Sequence, residues 1–423
     1  NTGAAVTISA PGGVGSGIDG ILSTQDSGTT VAVNDSIYAA GNGTSISAAQ
    51  VSGIASLMLS LKPVLLPAEV KTLLTATAKP FSTTGNVTNC NVSIGGAVIA
   101  DVITALTTTR NVGPPVPLVV SGQMNAGVRS DGQVFEWQQN FGLVQRTDVG
   151  SVRRLARGAG HVLALRTDGT IMAWGANSAG QLGNGTTTST TIATPVTGFT
   201  HVAEVAAGNS HSVAAKIDGT LWVWGYNDQG QLGDGTFATR LSPTLLPSPA
   251  GVTRVASASL AYHTLALKSD GTVWAWGANA EGQIGNGTTS VQLTPLAVAG
   301  LTDVVAIAAG QYHSLALKND GTVWTWGQNF YGQLGDGTNT RRTAPVAVTG
   351  LANVVAIAGG YTFSLALKSD GTVWAWGNNN NGQLGDGTLV NRPTPVQMSG
   401  ISAATGIGGG GSALVLKADG SVE

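Results

Sequence analysis

A single cysteine, Cys90, occurs in 423 residues, so no disulfide framework staples the fold, and the lone thiol reads as a small buried hydrophobe. Charge is sparse as well. Only 10% of residues are Asp, Glu, Lys or Arg and the formal net charge is −2, which argues against an electrostatic nucleic-acid binder. No apolar stretch approaches the roughly 18 residues of a membrane-spanning helix. No histidine precedes His161. The chain starts at Asn1 with neither Met nor a signal-type segment, which predicts that it was processed or cut from a longer translated protein. What is plentiful is glycine, 61 residues spread through recurring turns, and a hydrophobic share of 42%, ample for packed cores in two or three domains.

The stretch "GNGTSISAAQVSG", residues 41–53, sets Ser45 between a tight turn at Gly43 and Thr44 and an amphipathic run. Val51, Ile54, Ala55, Met58 and Leu59 recur at the spacing of one buried helical face. Ser45 therefore stands at a helix mouth. Such a residue is either an N-cap or a nucleophile whose developing oxyanion is favoured by free backbone N–H groups.

The wider segment, "ISAPGGVGSGIDGILSTQDSGTT", then "GNGTSISAAQVSGIASLML", then "LLPAEVKTLLTATAKPF", resembles in order the C-terminal part of a subtilisin-like serine protease (subtilase) catalytic domain. The resemblance covers residues 5–108 and implies a partial α/β fragment, with Ser45 as the catalytic nucleophile. Three positions depart from the family pattern: Ala49 and Gln50 where Pro and His are usual, and Leu66 where a capping Thr or Ser is usual. The family often has a cysteine pair where this chain has Cys90 alone. Its Asp and His precede the nucleophile, whereas the 44 residues before Ser45 contain no histidine. Asn42 in "AAGN" belongs to the run into the nucleophile turn and is not the family's oxyanion-hole Asn. The expected chain is thus catalytically silent.

Beyond "TTTRNVGPPVPL", a Pro-containing linker read at 109–117, the texture changes. Asp-Gly pairs recur at 131, 168, 218, 270, 320, 370 and 419, a period near 50 that marks seven stacked units over residues 118–423. One unit, "VVAIAAGQYHSLALKNDGTVWTWGQNFYGQLGDGT", reads as strand, Gly turn, strand, two-residue Asp-Gly hairpin and strand, completed by a Gly-rich loop and a Pro-led strand such as "APVAVTG". Four short strands per unit predict an all-β seven-bladed β-propeller. All ten tryptophans fall four or six positions after a repeat Asp, on one face of their strands, which predicts packing between blades rather than an aromatic ligand box. The last blade is incomplete at Glu423.

These units resemble the regulator of chromosome condensation repeat, a resemblance that implies a seven-bladed propeller without carrying any one relative's function across. Four histidines, 161, 211, 263 and 313, share one repeat position, with Phe363 and Ser412 in the later units. Equivalent positions on different blades are too far apart to share a metal, so structural roles are expected. The loop residues Asn184, Asp234, Asn286, Asp336 and Asp386 alternate freely between Asn and Asp, as a turn permits and an acidic ligand does not. No cofactor or metal site is assigned. The resulting expectation is a fragment of a secreted or cell-surface bacterial subtilisin-like serine endopeptidase whose propeller binds or anchors. The alternative is a non-catalytic propeller carrying a subtilase remnant. Expected partners are a protein or polysaccharide ligand and the missing N-terminal half of the protease domain, not nucleic acid.

Overall fold

The computed structural model describes residues 78–80, 98–100, 126–128, 132–138, 142–418 and 421–423. The chain forms two compact units, Asn1–Pro114 and Pro115–Glu423. In the first, strands Ala78–Pro80 and Val98–Ala100 pair antiparallel, with Ala78 opposite Ala100. Ser45, the helix predicted after it and the rest of the expected α/β fragment lie outside the described residues, as does the linker read at 109–117.

The described residues of the second unit are all β. Among the described residues it holds seven antiparallel sheets, each built from consecutive strands, the number that the Asp-Gly spacing predicts. Sheet 3 shows the full pattern: Val202–Ala207, His211–Lys216, Leu221–Gly225 and Arg240–Leu246. Sheets 2, 4, 5 and 6 repeat it. Sheet 1 has three strands, Ala126–Val128, Val134–Gln138 and Gly142–Arg146. Sheet 7 has Ala404–Gly409 and Ala413–Lys417, and a bridge from Leu416 to Val422 begins its third.

Burial follows strand position. The second strand, for example His313–Lys318, is buried at its first five residues because neighbouring sheets cover both its faces. The fourth strand is the outer edge and alternates between exposed and half-buried. Pro345 and Pro393 are tolerated there, since an edge strand needs no N–H on its open side. In sheet 5 that strand starts at Arg342, opposite Gly327, earlier than the Pro-led segment suggests.

The Asp-Gly hairpin differs from the two-residue turn read from sequence. Lys216 N–H bonds Thr220 O at 2.9 Å and Gly219 N–H bonds Lys216 O at 3.0 Å, which leaves a three-residue loop, Ile217–Asp218–Gly219. Gly219 takes φ +79°, the left-handed residue of a turn with a bulge. Asp218 Oδ1 fixes it by accepting from Thr220 N–H at 2.9 Å and Thr220 Oγ1 at 2.6 Å.

The tryptophans lie between sheets, as their register predicts. Trp224 is fully buried among Leu163, Leu165, Ile171 and Ala173 of sheet 2, and its companion Trp222 packs half-buried on the same cluster. Trp276, Trp326 and Trp376 repeat the placement. Each such ring removes roughly 150–250 Å² from water, about 4–6 kcal/mol gross. The side chain of Trp137 lies outside the described residues. On the inner side, the first strands of sheets 2 to 7 line an axial channel of about 260 Å³.

Candidate binding face and axial channel

The four repeated histidines are inter-sheet struts. His161 Nε2 lies 3.0 Å from Ser212 Oγ, His211 Nε2 3.0 Å from Thr264 Oγ1, His263 Nε2 3.0 Å from Ser314 Oγ and His313 Nε2 2.9 Å from Ser364 Oγ. Each hydroxyl belongs to the next sheet and donates its proton to a loop carbonyl: Gln181, Gln231, Gln283 and Gln333, at 2.7–3.1 Å. The same carbonyls accept Trp224, Trp276, Trp326 and Trp376 Nε1–H at 2.8–2.9 Å. Because the hydroxyl proton is spent on the carbonyl, the imidazole must donate from Nε2, which leaves a neutral ring with a bare, buried Nδ1. Burial, the main cause, pushes His161, His211 and His263 down to about 3 and His313 to about 4. Among the described residues no three His, Cys, Asp or Glu side chains gather around one point.

The Gly-rich loops are built around an asparagine. Asn227 Oδ1 accepts Leu232 N–H at 2.9 Å while Nδ2 donates to Asp234 Oδ1, Thr236 O and Ala238 O at 2.9–3.2 Å. The Asn/Asp position caps the turn, as Asp234 does for Thr236 N–H at 3.0 Å. Its alternation is not free, which corrects the sequence reading. Each Asp has an arginine six residues on, in Asp234–Arg240, Asp336–Arg342 and Asp386–Arg392, all at 2.6–2.8 Å. Asn184 and Asn286 are followed instead by Thr190 and Gln292. A half-buried guanidinium requires the carboxylate, and its absence permits the amide. At Asp386 burial favours the protonated form, but hydrogen bonds from Thr388 and Arg392 outweigh it and hold the carboxyl at about 2.

Antiparallel pairing places the first-to-second turns and the third-to-fourth loops at the same end of every sheet. Backbone bonds stitch these turns between sheets, as in Asn209 N–H to Ala261 O at 2.9 Å and Tyr361 N–H to Gly410 O at 2.8 Å. Half-buried tyrosines collect at this end: Tyr226, Tyr262, Tyr312 and Tyr361. Tyr226 donates to Asp228 Oδ2 at 2.8 Å. Burial, then Asp228 and Tyr312, raise the pKa of Tyr262, which places these groups within mutual reach. The third-to-fourth loops at this end also expose Phe237 (57%), Phe330 (60%), Leu389 (66%) and Val390 (58%). The opposite end carries Lys268, which is paired with Asp270 at 2.8 Å, its Nζ 6.0 Å from the Trp274 ring centroid. Such lysines are spent on the fold rather than offered to phosphates.

The tyrosines were not singled out by sequence reasoning. Their signal is Tyr immediately before the repeat histidine at 262 and 312. Ser45 lies outside the described residues.

No curated protein matches the chain. Among solved structures, human WBSCR16 is similar at a TM-score of 0.60 and 24% identity, over 69% of this chain and 83% of its own. Prp20p from Saccharomyces cerevisiae, described with its binding to Gsp1p and histones, is similar at a TM-score of 0.62 and 21% identity, over 70% of this chain and 80% of its own. At these identities the likeness shows the propeller fold alone. The subtilase family model matches residues 1–113. The model of the RCC1-like domain matches residues 109–416, and the chain belongs to that family.

Proposed function

We propose that residues 115–423 are a non-catalytic protein-binding module and that residues 1–113 are the C-terminal part of a subtilase catalytic domain, inactive in this polypeptide. The observation that carries the first half is the tyrosine-rich loop face, whose arginines are paired with Asp or Glu. Tyrosine supplies large contact area with a polar tip at low entropic cost, which suits a protein interface. Binding of Gsp1p and histones by the similar Prp20p is in keeping with a protein ligand. Among the described residues no helix is long and apolar enough to cross a membrane. The subtilase match supports the reading of an exported, secreted or cell-surface protein, in which the propeller holds a target for, or anchors, a protease.

The face is tested with the full chain and with a Tyr226→Ser, Tyr262→Ser, Tyr312→Ser variant, immobilised and challenged with the extracellular proteins of the source culture. A protein retained by the wild type and lost by the folded variant supports the reading; equal retention, or retention of polysaccharide alone, overturns it. The inactive half is tested by a fluorophosphonate probe. Ser45 stays unlabelled because no histidine lies near it in sequence and loss of one triad member costs roughly 10⁴–10⁶ in turnover. Labelling that disappears in Ser45→Ala overturns it.

A further inference from the structure

The segment "VRRLAR", Val152–Arg157, forms the first strand of sheet 2 and carries three arginines. Two are engaged: Arg153 Nη2 donates to Val202 O and Ala203 O at 2.9 and 2.7 Å, and Arg154 pairs with Glu204. Arg157 is different. It is 8% exposed, it lines the axial channel, and its Nε and Nη1 are buried with no hydrogen-bond partner. Glu136, a carboxylate within electrostatic reach, spends its oxygens on Trp174 Nε1 at 2.8 Å and Arg146 Nη1 at 3.3 Å. The equivalent positions in the next five sheets are Ala207, Ser257, Ala309, Gly359 and Gly409, so the guanidinium is a local addition that the repeat does not need.

The surroundings of Arg157 form one end of a chamber. Sheet 4 has two extra residues in its first-to-second turn, and from that turn Ser259 Oγ meets Tyr361 Oη of sheet 6 at 3.5 Å. Tyr361 also lies within electrostatic reach of Arg157. Between the sheets the lining side chains are aliphatic, among them Ala206, Ala256, Ile307 and Ile357. At about 260 Å³ the channel has room for roughly nine molecules of water size, at ~30 Å³ each. A buried guanidinium with unused donors is costly unless an anion meets it, and its planar fork fits a carboxylate or other oxyanion. Apolar walls around that fork favour an anion with an apolar body over inorganic phosphate. A volume of about 260 Å³ suits a free small molecule.

We propose that the turn end of the axial channel, centred on Arg157 with Ser259 and Tyr361, is a binding site for a small organic carboxylate with an apolar body. The probe is benzoate, with benzamide as its uncharged isostere, inorganic phosphate as the apolar-free anion and a peptide with a free C-terminal carboxylate as the partner-borne source. Thermal unfolding of the full chain is followed by tryptophan fluorescence at constant ionic strength. Benzoate is expected to give a saturable rise in Tm, since a hundredfold excess over its dissociation constant multiplies the folded-to-unfolded ratio about a hundredfold. Benzamide, phosphate and the peptide are expected to give none. Arg157→Met is expected to unfold no earlier than the wild type without ligand and to lose the benzoate response. Broadening of the 19F resonance of 4-fluorobenzoate by the wild type, reversed by benzoate, reads the same site without a variant. The proposal is overturned by no response to benzoate, by an equal response to benzamide, by a phosphate or peptide response that exceeds it, by a benzoate response kept in Arg157→Met, or by a lower unliganded Tm in that variant.

Discussion

Lowering the pH from 7.5 to 5 should strongly destabilise the propeller through its histidine struts. In the folded state His161, His211, His263 and His313 stay neutral, because burial pushes their pKa to about 3 for the first three and about 4 for the last. In the unfolded chain each titrates near 6.5. Below that value only the unfolded state takes up protons, so stability is intact above about pH 6.5 and is lost as the pH falls toward the folded values. At pH 5 the loss relative to pH 7.5 is about 2 kcal/mol for each histidine and about 8 kcal/mol for four, against a typical total of ~5–15 kcal/mol. The carboxylates do not interfere. Asp148 and Asp386, held at about 2, contribute stability that is lost only below their unfolded value of about 3.9, outside this window. Urea midpoints read by tryptophan fluorescence at pH 7.5, 6.5, 5.5 and 5 measure the effect directly. His211→Gln should cut the pH slope by about a quarter. A midpoint that hardly moves between pH 7.5 and 5 would refute the neutral, buried strut.

The Asp–Arg pairing in the Gly-rich loops predicts that Asp336→Asn costs about 1 kcal/mol by leaving Arg342 without its carboxylate. Asp336→Asn with Arg342→Gln recreates the combination at 286 and 292 and recovers at least half of that loss in a double-mutant cycle by urea unfolding. Gly208→Ala places a methyl inside van der Waals contact of the His211 ring and should cost about 1–3 kcal/mol, read as a lower Tm. Trp326→Ala removes a fully buried ring and its bond to Gln283 O, an expected loss of about 3–5 kcal/mol in the same assay.

Much of the propeller is legible in the sequence because each unit repeats the same local instructions. The Asp at 218 and its equivalents cap a hairpin, the glycine after it takes the left-handed conformation, and the tryptophans six positions on must be buried. Three further features require the partner strand or the neighbouring sheet. The hairpin has three loop residues rather than two because Lys216 pairs with Thr220, which the Asp-Gly pair alone does not reveal. The histidines read as strand starts, but the hydroxyl each one meets lies about 50 residues away, on the next sheet. The Asp–Arg pairs at a spacing of six were present in the sequence and became visible only when the outer strand folded back on the loop. The tyrosine face and Arg157 escape sequence reasoning for another reason: they are departures from the repeat, and reading by repetition averages them away.

Docking of a protein partner on the loop end of the propeller, as proposed above, is tested by hydrogen exchange of the full chain, alone and bound to the protein retained in the capture experiment. Added protection is expected in the turns at 208–210, 258–262, 310–312 and 360–362 and in the loops around Tyr226 and Phe330, with the Asp-Gly hairpins unchanged. Protection confined to the hairpins at 217–220, 269–272, 319–322 and 369–372 would contradict it.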